Sequence, residues 1–206
     1  MTIRINGSKE YKVNRGILSY YSPVIAEHCR TDRTKNKSKI IRLEETSFEA
    51  MELLKRWIDT ATVKDSEKHY DYPSAVYFIL AILANKLFIS ELQNEALEAG
   101  YHVSMNMNSF DADLPYLYEH TLDGSIIRKL VVNMFVLSTD HGHLVEAVKL
   151  SGHQYPFEFL SELYAARMVA KKRGIDKDFA VSVLNLDYYF VNRILKGEYN
   201  KELARW

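Results

Sequence analysis

The chain has 206 residues, 47% hydrophobic and 12% aromatic, which is enough to fill one good core or two small ones. Lys plus Arg and Asp plus Glu number 27 each, so no global field draws the protein to nucleic acid or to an anionic membrane. The one cysteine, Cys29, excludes an internal disulfide; the longest apolar run, 75–84, is far short of the roughly 20 residues that span a bilayer.

In chain order, Ile3 and Ile5 alternate with Arg4 and Asn6, and Tyr11 and Val13 with Lys12 and Asn14. That is the period of half-buried strands, and residues 2–5 and 10–13 are predicted to pair as a hairpin about Gly7 and Ser8. The period then changes. Ile17, Leu18, Tyr21 and Val24 fall at helical spacing, Pro23 divides the run into two short helices, and Ser22 is placed to cap the second. Residues 30–39 hold no apolar side chain and read as a solvated loop, followed by a third strand at 39–43. Thr46 or Ser47 caps a helix with the stripe Phe48, Met51, Leu54, Trp57 and Ile58, ending near Asp59. Beyond a polar loop at 64–71, one stripe of Tyr77, Leu80, Ala81, Ala84 and Leu87 and another of Leu92, Ala96, Leu97 and Tyr101 predict a helix pair, with Ser90 and Glu91 where the second is capped.

From Asn106 onward the reading is all helix. Asp111 or Asp113 caps a segment holding Leu114, Leu117 and Tyr118, and Ser125 opens an apolar helix with Ile126, Leu130, Val131, Met134, Phe135 and Leu137. A further stripe of Phe157, Leu160, Leu163 and Tyr164 runs to Lys171, Lys172 and Arg173, the cations expected at a helix C-terminus, with Gly174 as the stop. Two short helices, 178–183 and 187–195, are predicted to close the chain. The order is that of an α+β unit, a small sheet covered by helices, followed by an all-α extension.

Chemistry-bearing constellations are sparse. Asp140, His141 and His143 place two imidazoles beside a carboxylate, but a zinc site needs further ligands at recognisable spacing, and a helix-end loop is the ordinary reading. His28 and Cys29 are adjacent, so on a helix they point about 100° apart and do not make a nucleophile and its base. No phosphate-cradling glycine loop or nucleophile elbow occurs. No catalytic residue, metal site or cofactor is therefore expected. The segment 30–42 gathers Arg30, Arg33, Lys35, Lys37, Lys39 and Arg42 against Asp32, which admits electrostatic contact with phosphates or an acidic partner. No aromatic interleaves these cations, so a solubilising loop is the simpler reading and nucleic-acid binding the alternative.

Tyr11, Val13, Asn14, Arg15, Leu18, Ser22, Pro23 and Val24, followed by Ile41 and Leu43, then Phe48, Leu53, Leu54 and Trp57, and finally LANKLFISELQNEAL at 83–97, make residues 2 to about 103 resemble a BTB/POZ domain. Leu117 to Thr121, Asp123 to Ser125 and Ile127 to Val132 are similar to the segment that follows this fold in many filamentous-fungal members. The resemblance implies a BTB/POZ fold at 1–103 with a helical extension at 104–206 packed on it. It implies a non-catalytic protein-interaction module, used in adaptors of ubiquitin ligases, in regulatory complexes or in self-association.

Asn14 stands where the family has His, and the chain starts at Met1 without the extra N-terminal strand and helix that long-form members exchange in a dimer. A monomer or a heteromeric complex with another protein is expected, inside the cell, cytoplasmic or nuclear. The tyrosines and phenylalanines are too many for single helix faces to hide, and tyrosine suits sites with one buried and one wet end. Tyr70, Tyr72 and Phe78 lie where the family forms its partner-facing surface and are the expected contact residues; packing inside the fold is the alternative.

Overall fold

The computed structural model describes residues 1–5, 9–31, 40–43, 46–67, 69–106, 113–138, 155–172 and 186–190. Strands β1 (Thr2–Ile5), β2 (Lys9–Lys12) and β3 (Ile40–Leu43) form one sheet in the order β2-β1-β3. The β1–β2 pair is antiparallel with Ile3 opposite Tyr11 and Arg4 opposite Glu10; β1 and β3 are parallel with Ile3 opposite Ile41. Alternation sorts the two faces. Ile3, Ile5, Tyr11 and Val13 are buried, while on the other face the Arg4 guanidinium donates to Glu10 from Nε at 3.0 Å. A parallel pair needs a crossover rather than a tight turn. Helices α1 (Arg15–Tyr21) and α2 (Pro23–Thr31) supply it.

Ser22 sits between those two helices, fully buried. Its Oγ accepts from the Ile25 amide at 3.2 Å, the expected cap, and donates to the Leu87 carbonyl at 2.6 Å. The hydroxyl thereby pins the α1–α2 hairpin to the far end of another helix, α4 (Ser74–Lys86).

Helix α3 (Phe48–Thr60) begins at Ser47, whose side chain accepts from the Ala50 amide, and ends on Ala61 in the left-handed region at φ 58°. Met51, Leu54, Trp57 and Ile58 are buried as the stripe predicts, but Phe48, in the first turn, is 39% exposed with Lys9 Nζ over its ring. Helix α4 (Ser74–Lys86) is apolar nearly all round, and eight of its residues, Tyr77, Phe78 and Leu80 among them, are buried. Such a helix must be enclosed by others. It packs on α3, on α5 (Ser90–Asn106), and on α6 (Leu114–Glu119) and α7 (Ile126–Ser138) of the extension. Among the described residues one core cluster therefore takes in both Ile3 and Tyr189. The division expected after Val103 falls within the last turn of α5. Ser90, placed at a cap by its sequence, is the first helical residue; the Ile89 carbonyl takes the Gln93 amide at 2.9 Å instead.

Asp113 caps α6 by accepting from the Tyr116 amide at 3.0 Å, and Ser125 accepts from Ile127 at the start of α7. Helix α8 (Phe157–Lys172) packs on α7 and α6, and a 3₁₀ turn, Leu186–Tyr189, returns to α7, where Asn133 Nδ2 donates to the Tyr189 hydroxyl. The stripe expected on α8 is displaced. Phe159 and Leu163 are buried, whereas Phe157 and Tyr164 are 78% and 68% exposed. Both helix faces are apolar, so spacing alone does not choose between them; the aromatic cluster of Tyr118, Phe135 and Tyr155 around the Phe159 ring does. The predicted helix 178–183 and most of the one at 187–195 lie outside the described residues. No helix among the described residues is long and apolar enough to cross a membrane.

Candidate partner-binding surface

The residues expected to meet a partner are separated by the fold. Phe78 is 2% exposed, on the inner side of α4, with its ring against Gly100 of α5 so closely that a Cβ there would lie 3.0 Å from Cζ. It is a core residue. A fully apolar ring on the most enclosed helix has no water to face, and the expected patch narrows to the two tyrosines.

Tyr70 and Tyr72 are half-buried in the segment between α3 and α4. Tyr70 lies edge-on to Tyr77 at 5.7 Å, stacks on His102 at 6.4 Å and has Lys64 Nζ 5.0 Å above its ring. Tyr72 donates to Glu52 Oε2 at 3.2 Å, and the Arg56 guanidinium lies 5.9 Å from its ring centroid. Burial pushes both hydroxyls above the usual tyrosine range, and the Glu52 carboxylate adds to this at Tyr72. The segment is held down by Arg56, which makes a two-pronged pair with Asp71 at 2.8 and 2.7 Å and donates to the Val63 carbonyl at 3.0 Å. That guanidinium holds the Asp71 carboxyl below the usual range, against a smaller upward push from burial. These tyrosines are fixed in position by their own chain, with part of each ring left to solvent.

A more prominent feature is α1. Asn14 caps it, its Oδ1 accepting from the Gly16 and Ile17 amides at 2.9 and 3.2 Å, so the residue that departs from the family pattern does work for which asparagine is well suited. Leu18 points into the core; Ile17 and Tyr20 point out, 37% and 70% exposed. Tyr20 meets Tyr21 edge-on at 5.0 Å, and Tyr21 meets the buried Trp57 at 4.7 Å. Along one side of α1 runs a groove of about 550 Å³ walled by Ile17, Tyr20, Trp57, Ile58 and Ala61. Along the other runs one of about 580 Å³ walled by Arg15, Ser19, Ala26, Cys29 and Arg30. The helix is thus a ridge between two depressions.

The wall of the first groove is braced from behind. Glu95 of α5 accepts the Trp57 indole N–H at 2.9 Å with one carboxylate oxygen, and the Thr62 hydroxyl and Val63 amide at 2.7 and 2.8 Å with the other. In the second, Arg15 Nη2 donates to the Cys29 carbonyl at 3.3 Å, and Arg30 pairs with Glu27. Cys29 is buried while His28 is exposed, as adjacent helical positions require.

Arg33, Lys35, Lys37 and Lys39, the centre of the basic segment, lie outside the described residues, as do Asp140, His141 and His143. Among the described residues no three His, Cys, Asp or Glu side chains are grouped to hold a metal.

A three-stranded sheet with a helical-hairpin crossover, backed by α3, α4 and α5, is the frame in which these surfaces sit, and residues 1–98 match the family model of the BTB/POZ domain. This chain carries a BTB/POZ domain. A comparison with curated proteins found no significant match. BTB domains are generally protein-interaction modules and typically non-catalytic, and the structure adds to this one the packed helices α6, α7 and α8.

Spacing puts Ile17 on the apolar stripe with Leu18, Tyr21 and Val24, where the structure leaves it 37% exposed, and puts Tyr20 off that stripe. The available signal was density: Ile17, Leu18, Tyr20 and Tyr21 wrap more of a seven-residue helix than one buried face can take.

Proposed function

We propose that this BTB protein is a non-catalytic adaptor that receives a segment of a protein partner along the α1 ridge. The observation that carries the reading is Tyr20, mostly exposed, yet backed by the edge-to-face series Tyr20, Tyr21, Trp57 and beside a groove whose wall mixes Ile17, Trp57 and Ile58 with Asp59 and Thr60. An aromatic side chain already held in one place loses little freedom on binding, which is the profile of an interface anchor. Tyr70 and Tyr72 are proposed as a second contact, on the same argument of rings fixed by Lys64, Arg56 and Glu52. That the partner belongs to a ubiquitin ligase or to a regulatory complex rests on the family alone.

The test is a photo-cross-linking residue placed at position 20, at position 72, or at the exposed Lys129 on α7 as a control. Distinct protein adducts at 20 that vanish when Ile17 is changed to Asp support the ridge. Adducts at 72 only move the site to the Tyr70–Tyr72 segment, and the same adducts at all three positions overturn both. For a purified partner, Tyr20→Ala is expected to weaken binding by about tenfold or more, the scale of an anchor residue.

A further inference from the structure

Helix α8 has two apolar faces, and the fold uses one. Opposite the buried Phe159 and Leu163 stand Phe157, Tyr164 and Met168, exposed by 78%, 68% and 52%, with Val169 beside them at 50%. At 100° per residue, Phe157, Ser161, Tyr164 and Met168 fall within about 60° of one another, a single straight stripe. Isolated apolar residues on a surface are ordinary, but three along one stripe, with Val169 at its flank, are a patch of the kind that marks a contact.

The stripe is complementary to itself when reversed. With a two-fold axis passing between residues 162 and 163, Phe157 comes opposite Met168 of a second copy, and Ser161 opposite Tyr164, small against large. Glu158, in the first turn, then lies on the same side as Lys172 in the last turn of the other helix, about 7.5 Å from it along the axis and within reach of its long side chain, and the two helix dipoles oppose. A parallel arrangement would set the lysine pairs against each other. The chain's formal net charge of zero leaves no global repulsion to overcome.

We propose that α8 pairs antiparallel with α8 of a second copy of this chain, forming a two-fold dimer through the helical extension. The two aromatic rings and Met168 offer about 400 Å² per copy, less than the roughly 800 Å² of a standard interface, so the dimer is reversible and weak. Its pairing residues are all on α8 and none on the α1 ridge, so a dimer of this kind carries two partner sites.

Sedimentation equilibrium of the full chain tests this, with concentration taken from micromolar to several hundred micromolar. The apparent mass is expected to rise from one chain to two, and Tyr164→Glu with Met168→Glu to hold it at one chain while the circular dichroism is unchanged. For the register, a mixture of Phe157→Cys and Met168→Cys copies is expected to form the mixed disulfide on mild oxidation. Phe157→Cys alone should not cross-link, because its two copies lie about 16 Å apart along the axis. A constant single-chain mass, a dimer indifferent to the α8 changes, or efficient self-cross-linking of Phe157→Cys overturns the proposal. None of these outcomes bears on the cross-links at position 20, so the two readings fail separately.

Discussion

The Trp57 indole N–H donates to Glu95 at 2.9 Å, and through this one bond the end of α3 is fastened to the middle of α5. The same carboxylate satisfies the Thr62 hydroxyl and the Val63 amide, where the chain leaves the helix through the left-handed Ala61. Removing a carboxylate that serves three donors leaves each to find water in a half-buried place. Glu95→Ala is expected to cost about 2–4 kcal/mol in denaturant unfolding. Glu95→Gln should fall between, since an amide presents only one oxygen. A change under about 0.5 kcal/mol for Glu95→Ala would mean that the loop is held by other contacts.

Phe78 and Gly100 make the second prediction. With a Cβ at Gly100 placed 3.0 to 3.3 Å from three atoms of the ring, Gly100→Ala overfills the α4–α5 contact and is expected to cost about 1–3 kcal/mol. Phe78→Ala should cost about 3–5 kcal/mol. In a double-mutant cycle Phe78→Leu should offset part of the Gly100→Ala loss. Were the ring partner-facing instead, Phe78→Ala would weaken binding and leave stability nearly unchanged.

Arg128 organises the extension. Its side chain is 5% exposed, donates from Nε to the Thr121 hydroxyl at 2.8 Å and from Nη2 to the Tyr118 carbonyl at 2.7 Å and to that of Thr121, and lies 4.3 Å from the Tyr118 ring. Of its two carboxylate neighbours, Asp123 at 2.7 Å is almost wholly in solvent and Glu162 stands off at 3.9 Å, so the buried carbonyls matter more than either ion pair. Arg128→Met is expected to destabilise α6 to α8 by about 3–5 kcal/mol, seen as faster amide exchange there than in α3 to α5. Arg128→Lys should recover little, because an ammonium does not reproduce the planar fork. Equal exchange in wild type and Arg128→Met would count against this role.

Alkaline unfolding reports on Tyr77. Its buried hydroxyl lies near the Asp71 and Tyr72 backbone without a hydrogen bond of normal geometry, and burial pushes it up to about 12. In the unfolded chain it ionises near 10. Below pH 10 both states are neutral and the group is indifferent to pH. Between about 10 and 12 only the unfolded state gives up the proton, and stability falls. Tyr77→Phe is expected to be near neutral at pH 7 and to lessen the fall above pH 10, measured by circular dichroism during a pH titration. An unchanged alkaline profile would place the sensitivity in other buried tyrosines.

Much of the fold was legible because it rests on local rules. The alternation of Ile3, Ile5, Tyr11 and Val13, the caps at Ser22, Ser47, Asp113 and Ser125, and the all-round apolar α4 follow from period and hydrogen-bonding capacity, which a sequence displays directly. The family pattern was legible for the same reason, since it is written in these structural residues. The surfaces were not, because a residue's exposure is decided by what arrives from elsewhere in the chain.

What the sequence determined by itself is where the described strands and helices lie and most of the residues that open them. Only tertiary structure decided which aromatic side chains are spent on the core. Phe78 looked like a contact and was taken by Gly100; Phe157 and Phe159 share one helix, and the rings of Tyr118, Phe135 and Tyr155 claimed the second. Tyr20 and Tyr21 are neighbours, yet Trp57 covers one and leaves the other to solvent. Periodicity fixes the angle between side chains on a helix, but the direction of the whole set is fixed by long-range packing, and the partner surface is whatever that packing leaves uncovered.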